Sequence, residues 1–97
     1  MNYIYVIGPE NENGFMKIGF SQDPKKRLSS LQTGNIENLK IYHIEEVADE
    51  RVRLVEKAIH REISHHREKG EWFRLSSEDA IAEVKFGIIR YGNDQRL

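Results

Sequence analysis

The sequence predicts an α+β fold: a small three-stranded antiparallel sheet flanked by three helices, in the order β-β-α-β-α-α. Two patterns predict it. Short stretches rich in aromatic and β-branched residues end at turn signals, and longer stretches repeat apolar residues at every third or fourth position. The 97 residues suit one domain with a core of modest size. We therefore expect a single domain over residues 1–97, with a tail that frays from about residue 93.

The composition is that of an ordinary soluble domain, with 38% hydrophobic and 32% charged residues. The absence of cysteine excludes disulfides and thiolate zinc sites, and it favours the cytoplasm as the location. No apolar run has the length of a membrane span and no signal peptide opens the chain, so we expect no membrane partner. A net charge of −1 argues against bulk electrostatic coating of nucleic acid, although cations can still cluster locally.

Two strands joined by a polar loop open the chain. Residues 3–7 are almost wholly apolar, which predicts a central strand covered on both faces. The loop 10–14 ends in an asparagine–glycine pair that tolerates the positive φ of a hairpin turn, and residues 15–20 return as the second strand. Gly8 and Gly19 could admit another group close to the backbone, although glycine at a strand end usually marks only a turn.

A basic helix follows the hairpin. Ser21 or Asp23 is placed to cap it, Pro24 fits its first turn, and Gly34 is placed to end it in a left-handed conformation. Its first turn carries three consecutive cations: Lys25, Lys26 and Arg27. The helical period puts Arg27 at the rim of the apolar stripe. Such a run of charge is equally consistent with a solvated helix face.

Residues 39–47 predict a third strand, and a long helix is expected from Asp49 to about His66. Glu56 and His60 are four residues apart on this helix, so they share one face at the edge of its apolar stripe. A carboxylate in that position is partly desolvated and can face a cleft. The same spacing also describes an ordinary local polar pair.

Residues 71–75 predict a short extended or turn segment, after which Ser76 or Ser77 caps a last helix. Trp72 and Phe73 are expected to close the core behind the long helix. The alternative is that they anchor a protein partner or a homodimer.

The polar residues singled out above also have simpler explanations. Tyr5 fits a core aromatic residue, Lys17 a solvent-facing strand residue and Arg27 a surface charge. Three histidines invite a zinc site: His60, His65 and His66. We do not expect one, because adjacent histidines on a helix point in different directions and no cysteine completes the set.

Four short motifs, in order, resemble those of the GIY-YIG nuclease superfamily over roughly residues 2–75. Tyr3-Ile4-Tyr5 stands in place of Gly-Ile-Tyr, and Lys17-Ile18-Gly19 in place of Tyr-Ile-Gly. Arg27 matches the helix arginine and Glu56 the single metal-binding glutamate. The chain is most similar to a small phage and bacterial branch with Lys-Ile-Gly, Leu-Gln-Thr-Gly-Asn and Gly-Glu-Trp-Phe blocks.

The resemblance implies a GIY-YIG-like fold and a divalent-metal-dependent endonuclease that hydrolyses phosphodiester bonds. Glu56 would hold Mg²⁺ or Mn²⁺, and Arg27 would bind phosphate oxygens. Tyr5 would orient or deprotonate the attacking water, with its pKa lowered by a neighbouring cation such as Lys17. His60 would relay a proton or bind the metal's water.

The implied partner is nucleic acid, and we expect DNA, contacted through Lys25, Lys26 and Arg27. We expect no appended DNA-binding domain, in which case a homodimer or a separate specificity partner would complete the module. Four departures from the family pattern stand out, the first being Tyr3 in place of the glycine of the opening motif. Lys17 replaces the second tyrosine, Leu31 stands where a histidine is common, and the late asparagine has only Asn93 as a match.

The alternative function is a catalytically inactive nucleic-acid-binding module of the same fold. Retention of Tyr5, Arg27 and Glu56 together favours the enzyme. A desolvated carboxylate repels a phosphate unless a cation lies between them, so a module that only binds has no use for Glu56.

Overall fold

The structure is a computed structural model, and it describes residues 1–92. The α+β class is confirmed, with three helices and an antiparallel sheet. The strands are β1 (Asn2–Pro9), β2 (Phe15–Ser21), β3 (Leu39–Val47), β4 (Arg67–Lys69) and β5 (Trp72–Arg74). The helices are α1 (Pro24–Gln32), α2 (Asp49–Glu62) and α3 (Ser77–Tyr91).

The strands form one sheet in the order β3-β1-β2-β5-β4, and every neighbouring pair is antiparallel. β1 pairs on both edges, and its residues from Ile4 to Ile7 have no exposed surface. The prediction of a central strand covered on both faces is therefore confirmed.

The sheet has five strands rather than the predicted three. β5 lies inside the predicted extended segment, but β4 was not predicted, because its Arg-Glu-Lys sequence carries no β propensity. Gly70, with φ of +58°, turns the chain between the two strands. The long helix also stops at Glu62 instead of near His66, and a single 3-10 turn over Ser64–His66 leads into β4.

The sheet separates two apolar clusters, because successive side chains of a strand point to opposite faces. Ile4 and Val6 belong to the larger cluster, which α2 and α3 cover. Tyr5 and Ile7 belong to the smaller one, which α1 covers through Leu28 and its neighbours. Tyr5 therefore faces α1, on the opposite side of the sheet from the body of α2.

Hydrogen bonds show which of the candidate residues cap α1 and α3. The side chain of Asp23 accepts from the amide of Lys26 at 3.1 Å and caps α1, and Ser76 caps α3 in the same way through Asp79 at 3.1 Å. Gly34 has φ of +86°, as predicted for the end of α1.

The aromatic pair of β5 divides between the two faces of the sheet, so the prediction that both residues close the core behind the long helix holds for Phe73 alone. Phe73 has no exposed surface, and Trp72 packs against the smaller cluster. None of the helices within residues 1–92 is both long and apolar enough to cross a membrane. The predicted frayed tail and Asn93 lie outside the described residues.

Candidate functional site

The candidate site lies at the edge of β2, where its pairing with β5 ends. β5 pairs with β2 from Phe15 to Lys17, and the amide of Ile18 donates one more bond to the carbonyl of Glu71 at 3.1 Å. Beyond this point no other strand of residues 1–92 pairs with this edge. Here α2 contacts β2 directly: Nε2 of His60, on α2, lies 2.8 Å from the carbonyl oxygen of Ile18, on β2.

Tyr5 and Arg27 meet on the face of the sheet that α1 covers. Tyr5 is fully buried in the middle of β1. The Asp23 cap holds the first turn of α1, whose Arg27 amide donates to the Asp23 carbonyl at 3.0 Å. From there Nη1 of Arg27 reaches to 3.5 Å from the Tyr5 hydroxyl, the long limit of a hydrogen bond. Arg27 is more exposed than its predicted rim position implied.

Gly19 leaves the space in which Tyr5 and Glu71 meet. Gly19 lies opposite Tyr5 in the pairing of β1 with β2. A Cβ atom on residue 19 would lie 2.5 Å from the Tyr5 hydroxyl oxygen and 2.8 Å from Oε1 of Glu71. Both distances are far inside van der Waals contact, so glycine is required here by close approach rather than by a turn.

Glu71 connects the groups on this edge. It lies in the turn between β4 and β5, and its Oε1 is 3.3 Å from Nζ of Lys17. The same Nζ lies 5.7 Å from the centre of the Trp72 ring. The Glu71 side chain is 38% exposed, so solvent and ligands can reach it. Sequence reasoning missed Glu71 as a site residue; its only signal was its place in the Gly-Glu-Trp-Phe block.

Glu56 reaches the same edge from α2. It is 9% exposed and is the one charged residue buried among those described. Its neighbour is the carboxyl group of Glu71, which acts on it by charge and through a side-chain hydrogen bond. Four predicted residues, Tyr5, Lys17, Arg27 and Glu56, therefore come together, and Glu71 links them.

His60 forms a backbone hydrogen bond through one of its two ring nitrogens. A carbonyl oxygen only accepts, so Nε2 of His60 must carry the hydrogen that it shares with Ile18 at 2.8 Å. The ring also packs against Phe73, with centroids 5.0 Å apart. Burial is the main cause that lowers the pKa of His60. Through Nε2, His60 thus ties α2 to the backbone of β2.

Other candidates lie apart from this cluster. Lys25 and Lys26 are exposed on α1. His43 lies on the edge strand β3 and bonds to Glu45 at 2.9 Å. His65 and His66 stack on each other in the 3-10 turn, with centroids 4.0 Å apart.

A family model for the T5orf172 domain matches residues 2–87, which includes every residue of the cluster. The chain belongs to the T5orf172 domain family. No curated protein and no solved structure matches it.

In this T5orf172 domain the Tyr5 hydroxyl is held in its protonated form. Burial, followed by the charge of Glu71, raises the pKa of Tyr5 to about 12, and Arg27 offsets this only in part. The expectation that a neighbouring Lys17 lowers this pKa was wrong, because the ammonium of Lys17 is paired with Glu71. Tyr5 can therefore donate a hydrogen bond at neutral pH.

Burial acts on the carboxyl group of Glu56 as well. Burial first, and then the charge and the hydrogen bond of Glu71, raise the pKa of Glu56 to about 7, against smaller effects of Lys17 and Arg53. At neutral pH this carboxyl group of the T5orf172 domain is divided between its two forms. A cation beside it would favour the charged form.

The donor set of the T5orf172 domain fits a magnesium or manganese ion. Glu56 and Glu71 offer hard oxygen ligands in contact with each other, and a divalent cation relieves the repulsion between two such groups. Among residues 1–92 no group of three or more His, Asp or Glu side chains is arranged to hold a metal. Water and phosphate oxygens would therefore supply the remaining ligands, as Mg²⁺ prefers.

Proposed function

We propose that this chain is a divalent-metal-dependent endonuclease of GIY-YIG type that hydrolyses phosphodiester bonds in DNA. The observation that carries the proposal is the meeting of Tyr5, Arg27, Lys17 and two carboxylates at one edge of β2. Membership of the T5orf172 family, a phage-associated domain related to GIY-YIG-like and HNH nuclease-like folds, supports it. We place this activity in the cytoplasm, where an enzyme without disulfides is stable.

The cations of the site bind and orient the scissile phosphate. Arg27 presents a planar fork of donors that matches two phosphate oxygens, and its exposed position lets nucleic acid reach it. The protonated Tyr5 hydroxyl lies beneath the guanidinium, so it fixes the direction of Arg27 and can donate to an oxygen that displaces this contact. Lys17, held by Glu71, adds positive charge beside them.

The two carboxylates bind a cation, whereas Arg27 and Lys17 bind the phosphate. Glu56, with Glu71 as its neighbour, would hold Mg²⁺ or Mn²⁺ against the phosphate. When bound, such an ion supplies positive charge to the phosphate oxygens and acidifies a water. Without a cation between them, each carboxylate would repel the phosphate, because both groups are negatively charged. His60 acts on this arrangement indirectly, because it fixes the backbone between Lys17 and Gly19.

A catalytically inactive nucleic-acid-binding module is the second candidate. The complete burial of Tyr5 favours it, since the hydroxyl touches no solvent before a ligand displaces Arg27. In both candidates nucleic acid binds at Arg27. They differ in whether the chain cleaves it with the help of Glu56.

Cleavage of supercoiled DNA with Mg²⁺ or Mn²⁺, compared with EDTA, tests the proposal. We expect cleavage with either metal and none with EDTA. Arg27→Ala and Glu56→Ala should each reduce it by at least about a hundredfold, since each removes a charge that acts on the transition state. Arg61→Ala is the matched control, because Arg61 is an exposed arginine of α2 outside the cluster, and it should cleave normally.

Binding distinguishes the two candidates. Normal cleavage by Glu56→Ala would contradict the site. DNA binding that requires Arg27, without cleavage under any metal, would establish the inactive module instead. Single-stranded DNA and RNA belong in the same assay, as do a measurement of oligomeric state and a comparison with and without a candidate specificity partner.

A further inference from the structure

A cavity of about 570 Å³ opens beside the site, and Arg27 is one of its lining residues. It lies between the first residue of β1, the end of β2, helix α1 and Arg53 of α2. The lining residues that matter here are Asn2, Phe20, Asp23, Lys26, Arg27 and Arg53. Its volume lies in the range of about 300–1,000 Å³ typical of pockets for small organic ligands.

The cavity is lined by a surplus of positive charge. It contains three cationic side chains, Lys26, Arg27 and Arg53, and one acidic side chain, Asp23. The Asp23 carboxylate already accepts the α1 cap from the Lys26 amide at 3.1 Å. No carboxylate of residues 1–92 forms an ion pair with any of the three cations. An anion entering the cavity therefore meets cations that are free to bind it.

The cavity also contains a flat aromatic surface. The guanidinium of Arg53 lies 5.9 Å from the centre of the Phe20 ring, and Phe20 is half-buried at the end of β2. Aromatic rings and guanidinium planes are the two protein surfaces on which unpaired bases stack. Phosphate-binding cations beside a stacking surface match the two parts of a nucleotide.

We propose that this cavity receives one unpaired nucleotide adjacent to the scissile phosphate, with its base against Phe20 and Arg53 and its phosphate on Lys26. The inference rests on the proposed function, because Arg27 belongs to both the cavity and the site. A base in an intact duplex is stacked on its neighbours, so it reaches this surface only if it is unpaired or flipped out. The substrate is therefore single-stranded DNA or a duplex with an unpaired nucleotide at the cut.

Binding in EDTA tests the proposal on the cleavage-deficient variant Glu56→Gln. Fluorescence anisotropy would compare a single strand, the matching duplex and that duplex with one unpaired nucleotide. We expect the single strand and the bulged duplex to bind about tenfold more tightly than the intact duplex, because one stacked base accounts for about that ratio.

Substitutions added to this background separate stacking from charge. Phe20→Leu keeps the apolar packing of Phe20 and removes its ring, so single-strand affinity should fall about tenfold while duplex affinity stays the same. Lys26→Ala should lower the slope of log affinity against log salt by about 0.7, the value for one lost phosphate contact on a single strand. Phe86→Ala and Arg61→Ala, at exposed positions outside the cavity, should change neither quantity.

Equal affinity for duplex and single strand, or a Phe20→Leu variant that binds like its parent, would overturn the inference. The proposed function would survive that result if Arg27→Ala still abolished cleavage of duplex DNA. Absence of both binding and cleavage on every substrate would overturn the two together. Thermal unfolding of each variant would confirm that losses of binding do not reflect loss of the fold.

Discussion

Nζ of Lys17 lies 3.3 Å from Oε1 of Glu71, and this pair joins the predicted half of the site to a residue that was not predicted. In the resemblance drawn from the sequence, Lys17 corresponds to the second tyrosine of the GIY-YIG pattern. A lysine there brings a full positive charge into a half-buried position, and Glu71 compensates that charge. The substitution is therefore matched by a carboxylate on the neighbouring turn.

Glu71→Gln should weaken divalent-cation binding and lower the pKa of Tyr5. The carboxylate of Glu71 is the second negative group in contact with Glu56, and its charge is the second-largest cause of the raised Tyr5 pKa. We expect Mn²⁺ affinity, measured by calorimetry, to fall about tenfold, as for the loss of one of two carboxylate ligands. The ¹³C chemical shift of the Tyr5 ring, followed against pH, should report a pKa below about 12.

Glu68→Gln provides the comparison for this experiment. Glu68 lies on the same hairpin but pairs with Arg74 at the surface, so its loss should leave both quantities unchanged. Equal Mn²⁺ affinities for Glu71→Gln and Glu68→Gln would exclude Glu71 from the cation site.

The sequence predicted the parts of the site that lie in regular elements. Tyr5, Lys17, Arg27 and Glu56 could each be placed on a strand or helix, because periodicity determines which face a residue takes. Glu71 could not, since it lies in a turn whose position depends on the short hairpin β4–β5. That hairpin forms because β2 offers an edge to β5, which is a tertiary cause and leaves no local pattern.

The chemistry of individual groups was less predictable than their positions. A pKa depends on burial and on the full set of neighbouring charges, and the set around Tyr5 includes Glu71. The role of His60 depended on a backbone carbonyl, which every residue carries and which no sequence motif reveals. Side-chain types thus indicated where the site lies, whereas protonation states required the structure.

Glu56→Gln should stabilise the metal-free protein at high pH. The pKa of Glu56 rises from an ordinary 4.5 to about 7 on folding, so between these values the folded state binds more protons than the unfolded state. The free energy of unfolding of the parent protein therefore decreases as pH rises through this window, by about 3 kcal/mol at most. Urea unfolding in EDTA should give equal stabilities at about pH 4 and a more stable Glu56→Gln at about pH 8.

Glu62→Gln is the control for that comparison, because Glu62 lies on the same helix and is partly exposed beside Arg90. Its effect should stay within about 0.5 kcal/mol at both pH values. Saturating Mg²⁺ should raise the stability of the parent protein at high pH and leave Glu56→Gln unchanged. A pH-independent difference between Glu56→Gln and its parent would contradict the buried, repelled state of this carboxyl group.

Gly19→Ala should disrupt the site while the fold persists. The added methyl group would overlap the Tyr5 hydroxyl and Oε1 of Glu71, so one of them must move. We expect a loss of about 1–3 kcal/mol of stability and at least about a tenfold loss of cleavage rate. Gly8→Ala is the control, since its methyl group would meet the flexible thioether of Met16, 2.6 Å away and outside the site. If the cleavage rate of both variants fell only as far as their unfolded fraction rose, the close approach at Gly19 would not contribute to catalysis.

His60 should act through the backbone of β2, and a pair of substitutions distinguishes this from proton transfer. His60→Ala leaves the Ile18 carbonyl without its donor, at a cost of about 1–3 kcal/mol, whereas the amide of His60→Gln can still donate to it. His60→Gln should therefore retain most of the stability and cleavage that His60→Ala loses. If His60 instead relays a proton, His60→Gln should be stable but inactive.

The pH dependence of stability is a second test of the structural role of His60. Burial lowers the pKa of His60 below its ordinary 6.5, so the unfolded state binds the proton more readily than the folded state. The His60 contribution is present above about pH 6.5 and is lost as pH falls through that value. His60→Gln should not show this acid-side loss, and His65→Gln, at an exposed position, should follow the parent protein. Identical acid profiles for His60→Gln and its parent would show that this imidazole is not held neutral by the fold.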